Sequence, residues 1–364
     1  MKKKGFLSPV NLSEFEALAR RALPGPVFDH LSGGTDDEVA LRENIEAFRR
    51  TQIVPCVLKD VTKRNLSATV LGHTISFPVI LAPVTCLRRF HPKGELAAAR
   101  AAAGAGTIFT VSTGACYGLD EIAKASSGPF WLQLYAYRDK GVTKGLVQRA
   151  EAAGHTAICL TADVPVGGRR ERDLRNQYFY PKSMLYRNLK GLGLKGLSPR
   201  MSDVELLAFS AHELTVALTW EYLEWLKSIT KLPILLKGIL STEDAVRAVS
   251  SGMQGIVVSN HGGRQLDRAP AAIDVLQEIA AAVDGRVEIL LDSGVRRGTD
   301  VLVALALGAK AVLIGRPYAW ALAAGGEKGV SQALTMLREE FDVAMALVGC
   351  ASVAEINASF IRLH

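Results

Sequence analysis

No stretch of the 364-residue sequence approaches the ~18–20 consecutive apolar residues of a membrane-spanning helix, which excludes a chain anchored by such a helix. Cysteine is also scarce. The five present (Cys56, Cys86, Cys116, Cys159 and Cys350) form no CxxC pair and no regular spacing, and their odd number argues against a disulfide framework. No set of residues has metal-ligand spacing, so no metal is expected. The basic start, Met1 to Pro9, runs into Asn11, Ser13, Glu14 and Glu16 where a secretory signal needs ~7–15 apolar residues, so none is expected. The closing Arg362-Leu363-His364 is not a peroxisomal tripeptide. These absences point to a cytoplasmic protein, soluble or at most peripheral to a membrane.

What is present is ordinary globular composition, 49% hydrophobic and 22% charged, which excludes collagen and low-complexity disorder. The net charge of +7 is local. Arg169 to Arg200 holds nine basic residues against two acidic ones, an excess equal to that of the whole chain, so the remainder is formally neutral. Anionic small molecules, a membrane surface or nucleic acid are the partners such a segment suits. No stacking platform or binding motif accompanies it, so nucleic acid is not expected. Its cations alternate with Met184, Leu185, Tyr186, Leu189, Leu192, Leu194 and Leu197, a pattern compatible with a membrane surface or an apolar-basic lid.

Eight short apolar runs, each followed by a helix-length stretch, organise the chain: Pro78–Pro83, Thr107–Ser112, Phe130–Tyr135, Ala157–Asp163, Pro233–Lys237, Gly255–Ser259, Val287–Asp292 and Ala311–Arg316. Continuous apolar strands separated by helices indicate a parallel sheet covered by helices, and eight of them predict an α/β fold, a closed (β/α)8 TIM barrel. The rhythm breaks once, after the fourth run. A long loop of residues 164–232 follows it, at the strand end where barrel active sites form.

Helices are expected at Asn11–Leu23, Pro26–Leu31 and Asp36–Arg49. A hairpin at Leu66–Leu71 with a turn at Gly72-His73 is expected to plug the barrel floor. A last long helix is expected at Gly329–Leu347 and a short one at Val353–Leu363. With no linker or second core, residues 1–364 form one expected domain: N-terminal segment 1–77, barrel 78–330 and C-terminal helices 331–364.

Polar residues close the strands, and in a parallel barrel those ends share one mouth. They are Ser112, Gln133 and Tyr135, Thr161 and Asp163, Lys237, the loop Ser259-Asn260-His261-Gly262-Gly263-Arg264-Gln265-Leu266-Asp267, then Asp292 to Arg296, and Gly315-Arg316. Gly294/Arg296 and Gly315/Arg316 stand where barrels bind phosphate, although plain turns with solvated arginines would read alike. Lys237 has three readings: a snorkelling lysine, a Schiff-base amine, or a cation beside a ligand that gains negative charge. His261, with Asp163 available to hold its tautomer, suits a general base. Arg170 and Arg264 suit a substrate carboxylate.

These residues resemble those of the FMN-dependent L-2-hydroxy-acid oxidases and dehydrogenases, such as glycolate oxidase, lactate oxidase and mandelate dehydrogenase. The resemblance runs from about Leu12 to Ile361 and rests on SNHGGRQLD at Ser259–Asp267, supported by LAP (Leu81–Pro83), QLY (Gln133–Tyr135), LTAD (Leu160–Asp163), LLKG (Leu235–Gly238), VRRGTD (Val295–Asp300) and IGRP (Ile314–Pro317). It implies that Pro83, Val84 and Thr85 pass along an FMN ring, with Ser112, Gln133 and Thr161 bonding its edges. Lys237 then lies near the end that gains charge on reduction, with Ser259 in the signature loop beside it. Asp292, Ser293, Gly294, Arg296, Gly315 and Arg316 would hold the ribityl and phosphate groups. Tyr135, Arg170, Arg264 and His261 would surround the substrate, His261 acting as base with Asp163.

Three positions depart from the family pattern. His30 stands where many members bind the substrate carboxylate with tyrosine; it could still donate, with a pH dependence tyrosine lacks, or mark a specialised site. Gly114 stands where glycolate-type members carry tryptophan, which favours a lactate-, long-chain- or mandelate-like acid over glycolate, unless Phe90 or Arg88 refills the space. Ser293 stands in place of a glycine. The implied reaction is oxidation of the hydroxy acid to the 2-oxo acid in a homo-oligomer, a tetramer by resemblance, with dioxygen as acceptor and hydrogen peroxide as product. The alternatives are a quinone-linked peripheral membrane dehydrogenase and, more remotely, a diphosphate isomerase or a flavin-free aldolase using Lys237.

Overall fold

The computed structural model describes residues 9–178, 187–193 and 218–362. Its centre is a closed barrel of eight parallel strands: β1 (Val79–Leu81), β2 (Phe109–Ser112), β3 (Phe130–Leu134), β4 (Ala157–Thr161), β5 (Ile234–Ile239), β6 (Gly255–Val258), β7 (Glu288–Leu291) and β8 (Ala311–Ile314). Each strand pairs with the next, and β8 closes on β1. The eight apolar runs are therefore eight strands of the expected (β/α)8 fold.

Side chains alternate across these strands, so each apolar run feeds two cores. Ile80, Trp131, Cys159, Leu235, Val257, Leu290 and Leu313 fill the barrel interior. Their neighbours, such as Val79, Leu81, Leu132, Leu160 and Leu236, face the helical layer. Both faces are buried, which is why the strands read as continuous apolar runs. The hairpin, Ala68–Val70 with His73–Ile75, adds Ala68, Val70 and Ile75 to the interior core, as a plug requires.

Parallel register sets out the polar strand ends. Ser112 of β2 pairs with Gln133 of β3, and Thr161 of β4 with Lys237 of β5, so consecutive strands deliver polar side chains at one level of one mouth. The N-terminal helices α1 (Leu12–Ala22), α2 (Gly25–Ser32) and α3 (Val39–Arg50) pack beside that mouth. Asn11 caps α1 through its side chain, and Asp267 of the signature loop accepts the Val39 and Ala40 amides at the start of α3.

Two helices follow β8 and meet at a break at Gly326: the first starts at Arg316, and the second, which contains the expected Gly329–Leu347, ends at Val348. One expectation about the C-terminal region is corrected: among the described residues no α-helix follows Val348. Two 3-10 turns, Val353–Glu355 and Ala358–Phe360, lead to Ile361–Arg362, which pairs antiparallel with Gln52–Ile53. The side chain of Asn357 accepts the Ser359 amide and restarts the turn, and segments this short do not sustain an α-helix.

The long loop after β4 is described in part. Arg172, Arg175 and Arg187 pair with Glu38, Glu171 and Glu121, and Leu189 and Leu192 pack against the core. The expected lid residues Lys182, Met184, Leu185, Tyr186, Leu194, Lys195, Leu197 and Arg200 lie outside the described residues. Among the described residues no helix is long and apolar enough to cross a membrane.

Candidate active site

A cavity of about 1030 Å³, its open mouth included, occupies the C-terminal end of the barrel. Of the residues assigned above to substrate, cofactor or catalysis, all line it except Asp163 and Ser259, which stand behind the lining. Arg170 reaches the cavity. Arg169, its neighbour, does not, and its carbonyl instead anchors Thr35 and Asp36.

His261 sits in left-handed backbone (φ 58°) after β6, with its amide on the Ser259 hydroxyl at 3.0 Å and its Nδ1 3.0 Å from Asp163 Oδ1. Burial alone would raise the Asp163 pKa, but the facing His261 and then Lys237 draw it below the ordinary carboxylate value. An ionised carboxylate on Nδ1 leaves Nε2 as the basic nitrogen of a neutral ring. Gly238 makes this placement feasible: it has φ 106°, and a Cβ there would stand 2.5 Å from the Asp163 Cβ.

Lys237 is buried, with its ammonium 2.7 Å from both the Ser259 hydroxyl and Asp292 Oδ2. Burial works against its charge, but Asp292 and Asp163 outweigh it and the pKa ends above the ordinary lysine value. A Schiff-base lysine needs the opposite shift, so the aldolase alternative is set aside. Across the strand ends Thr85, Ser112, Gln133 and Thr161 form one polar chain, with contacts of 3.1, 3.2 and 2.9 Å.

At the other end lie Arg296 and Arg316. The Arg316 guanidinium donates to the carbonyls of Leu31, Gly33 and Gly262, and its pKa is pulled well down by burial and by the charges of Arg264 and Arg296. The long helix opens here at Gly315 with no side-chain cap. Crowded buried cations at an uncapped helix N-terminus form a site that an anion relieves. Ser293, in left-handed backbone at φ 74°, accepts the Gly262 amide and donates to Asp292, so its hydroxyl joins the β6 and β7 loops.

The family of FMN-dependent dehydrogenases matches residues 19–363. The chain belongs to this family. An L-lactate oxidase from Nostoc sp. is 48% identical over 98% of the chain and 99% of its own length. Glycolate oxidase 1 from Oryza sativa subsp. indica is 48% identical over 96% and 95%. A solved mandelate oxidase with (S)-4-hydroxymandelic acid superposes with a TM-score of 0.91 at 45% identity, covering 97% of this chain and 98% of that one.

The protein is thus an FMN-dependent oxidoreductase acting on CH–OH groups, and its cavity fits that cofactor. The polar chain and the fixed cation would hold the ring at one end, and the glycine loops with two arginines would hold the phosphate at the other.

His30 lines the cavity and is held by partners within the protein. Its ring is buried, stacked on Tyr178 at 4.3 Å, with Nδ1 2.8 Å from Asp173 Oδ2. Burial, helped by Arg264 and Arg170, holds its pKa down to about 4 against the pull of Asp173. A neutral ring that gives its Nδ1 proton to Asp173 has a lone pair on Nε2, which does not suit donation to a carboxylate, and its titration lies in the acid range. Asp173, which also faces Arg170 at 3.2 Å, was missed by sequence reasoning; its spacing of three from Arg170 on a short helix was the available signal. Leu31 also went unnoticed as cavity lining. Gly114 does not line the cavity: a Cβ there would lie 2.6 Å from the Thr85 methyl, so Thr85 fills the vacated space.

Proposed function

We propose that this enzyme oxidises an L-2-hydroxy acid to the 2-oxo acid and passes the electrons to dioxygen, releasing hydrogen peroxide. The observation that carries this reading is the His261–Asp163 pair at the mouth of a cavity that also presents Arg170, Arg264 and Tyr135. Arg170 and Arg264 bind the carboxylate of the acid in charge-assisted hydrogen bonds. Tyr135 is kept protonated, its pKa raised by burial and by Asp163, and orients the substrate oxygen as a donor. His261 accepts the proton that the substrate loses, and Asp163 stabilises the resulting imidazolium. FMN, when bound, supplies the two-electron acceptor. Lys237 provides fixed positive charge at that end of the cavity.

Leu31, Val84 and Phe90 make the wall beside the polar chain apolar. This favours a lactate-, long-chain- or mandelate-like acid over glycolate. The oxidase relatives support dioxygen over a quinone, and the core packing of Leu189 and Leu192 removes two residues from any membrane-facing role.

The test is anaerobic flavin bleaching by glycolate, lactate, 2-hydroxyoctanoate and mandelate, followed by reoxidation with air or quinone. We expect kcat/KM to be lowest for glycolate and recovery in air to be fast. A clear glycolate preference overturns the substrate assignment, and failure of every acid to bleach the flavin overturns the reaction.

A further inference from the structure

Cys86 and Cys116 sit apart from the chemistry above, on the loops that follow β1 and β2. Their sulfurs are 2.7 Å apart and both residues are buried. The two loops are tied around them by backbone: the Cys86 amide donates to the Gly114 carbonyl at 3.1 Å, and Glu95 Oε1 accepts both the Leu87 and Cys116 amides at 3.0 Å. A disulfide bond is about 2.05 Å long. Joining these sulfurs therefore needs them to close by a few tenths of an ångström each. Cys159 and Cys350 lie in other parts of the core, and Cys56 is exposed.

We propose that Cys86 and Cys116 are an oxidisable dithiol that hydrogen peroxide closes to a disulfide. One sulfur attacks a peroxide oxygen, the O–O bond breaks, and a sulfenic acid forms as water leaves. The second sulfur attacks the sulfenic sulfur, the S–S bond forms, and a second water leaves. Two thiols lose two electrons and two protons, and one peroxide becomes two waters. The buried Glu95 stands between the two loops: its Oε1 holds the Leu87 and Cys116 amides, its Oε2 has no hydrogen-bond partner among the described residues, and burial raises its pKa. The Cys116 thiol is held above its ordinary pKa by its partner thiol and by burial, so little thiolate forms and closure by peroxide is slow, carried by the proximity of the two sulfurs rather than by an activated thiol.

Closure would pin together the loop carrying Thr85, which lines the cavity, and the loop carrying Gly114. The inference rests on the oxidase reading only for an internal source of peroxide. The test therefore begins with added hydrogen peroxide on the holoenzyme, quenched with catalase and read by intact mass and by non-reducing peptide mapping. We expect a loss of about 2 Da, one linked peptide pair containing Cys86 and Cys116, and a Tm raised by several degrees, all reversed by dithiothreitol. Cys86→Ala and Cys116→Ser should show neither the link nor the Tm shift.

Exposed Cys56 is the internal standard. If Cys86 and Cys116 remain unlinked when Cys56 is fully oxidised, or are driven to sulfinic acids without linking, the proposal is overturned. Turnover with a 2-hydroxy acid in air, with and without catalase, then tests the source. A link made by added peroxide but never by turnover leaves the dithiol standing and counts against the oxidase reading.

Discussion

Two imidazole–carboxylate pairs stand at one cavity, and their surroundings differ. His261–Asp163 and His30–Asp173 have the same contact, 3.0 and 2.8 Å from Nδ1 to a carboxylate oxygen. The His261 ring keeps 24% of its exposure and the His30 ring 5%. His30 also has Arg264 and Arg170 close enough to repel a proton, and Tyr178 stacked on its face. A carboxylate partner therefore does not by itself make a base. Solvent contact and neighbouring charge decide whether the imidazolium is tolerated.

The largest expected effect separates the two pairs directly. His261→Gln should slow anaerobic flavin reduction by about 10²–10⁴-fold while the protein stays yellow, and His30→Gln should slow it by less than about tenfold. Stopped-flow bleaching at 450 nm, on the order of the usual oxidised-flavin band, reads both. Equal losses would break the comparison.

Gly238→Ala tests the clearance that only the catalytic pair has. Its Cβ would press on Asp163, so kcat should fall by about 10²-fold with flavin content unchanged. An unchanged kcat would mean that Asp163 can move without consequence for His261.

The pH dependence of stability should belong to His30. Its folded pKa, about 4, lies below the unfolded value of 6.5, so the unfolded chain binds more protons between these limits. Its stabilising contribution is complete above about pH 6.5 and is lost as pH falls towards 4, by on the order of 3 kcal/mol in all. In urea unfolding, His30→Gln should make stability fall less steeply between pH 6.5 and 4, with His155 contributing the remainder. An unchanged slope would assign the acid sensitivity to His155, which burial likewise holds at about 4.

The smallest effect concerns Asp173. Asp173→Asn removes the negative charge beside Arg170 and should lower KM for a hydroxy acid by about two- to fivefold with little change in kcat, consistent with an ion pair worth up to ~1 kcal/mol. A fall in kcat instead would give the His30 pair a part in the chemistry.

Much of this site was legible before any coordinates. The β/α rhythm, the polar residue closing each strand and the SNHGGRQLD loop are local features, and parallel register converts a residue's place at a strand end into a place at the mouth. The places of His261 and Lys237 at the cavity, with Asp163 behind His261, follow in this way. The C-terminal turns were misread because their pairing partner, Gln52–Ile53, lies about three hundred residues earlier.

By itself the sequence determined the barrel, the cofactor class and the polar residues that close the strands, because periodicity and a strand-end motif are properties of short segments. Only the tertiary structure decided what Thr85 does for Gly114, what Asp173 does to His30, and that two of five unpatterned cysteines touch. Each of these is a contact between segments whose spacing in the chain carries no period. Burial and neighbouring charge, which set their chemistry, exist only once the segments have packed.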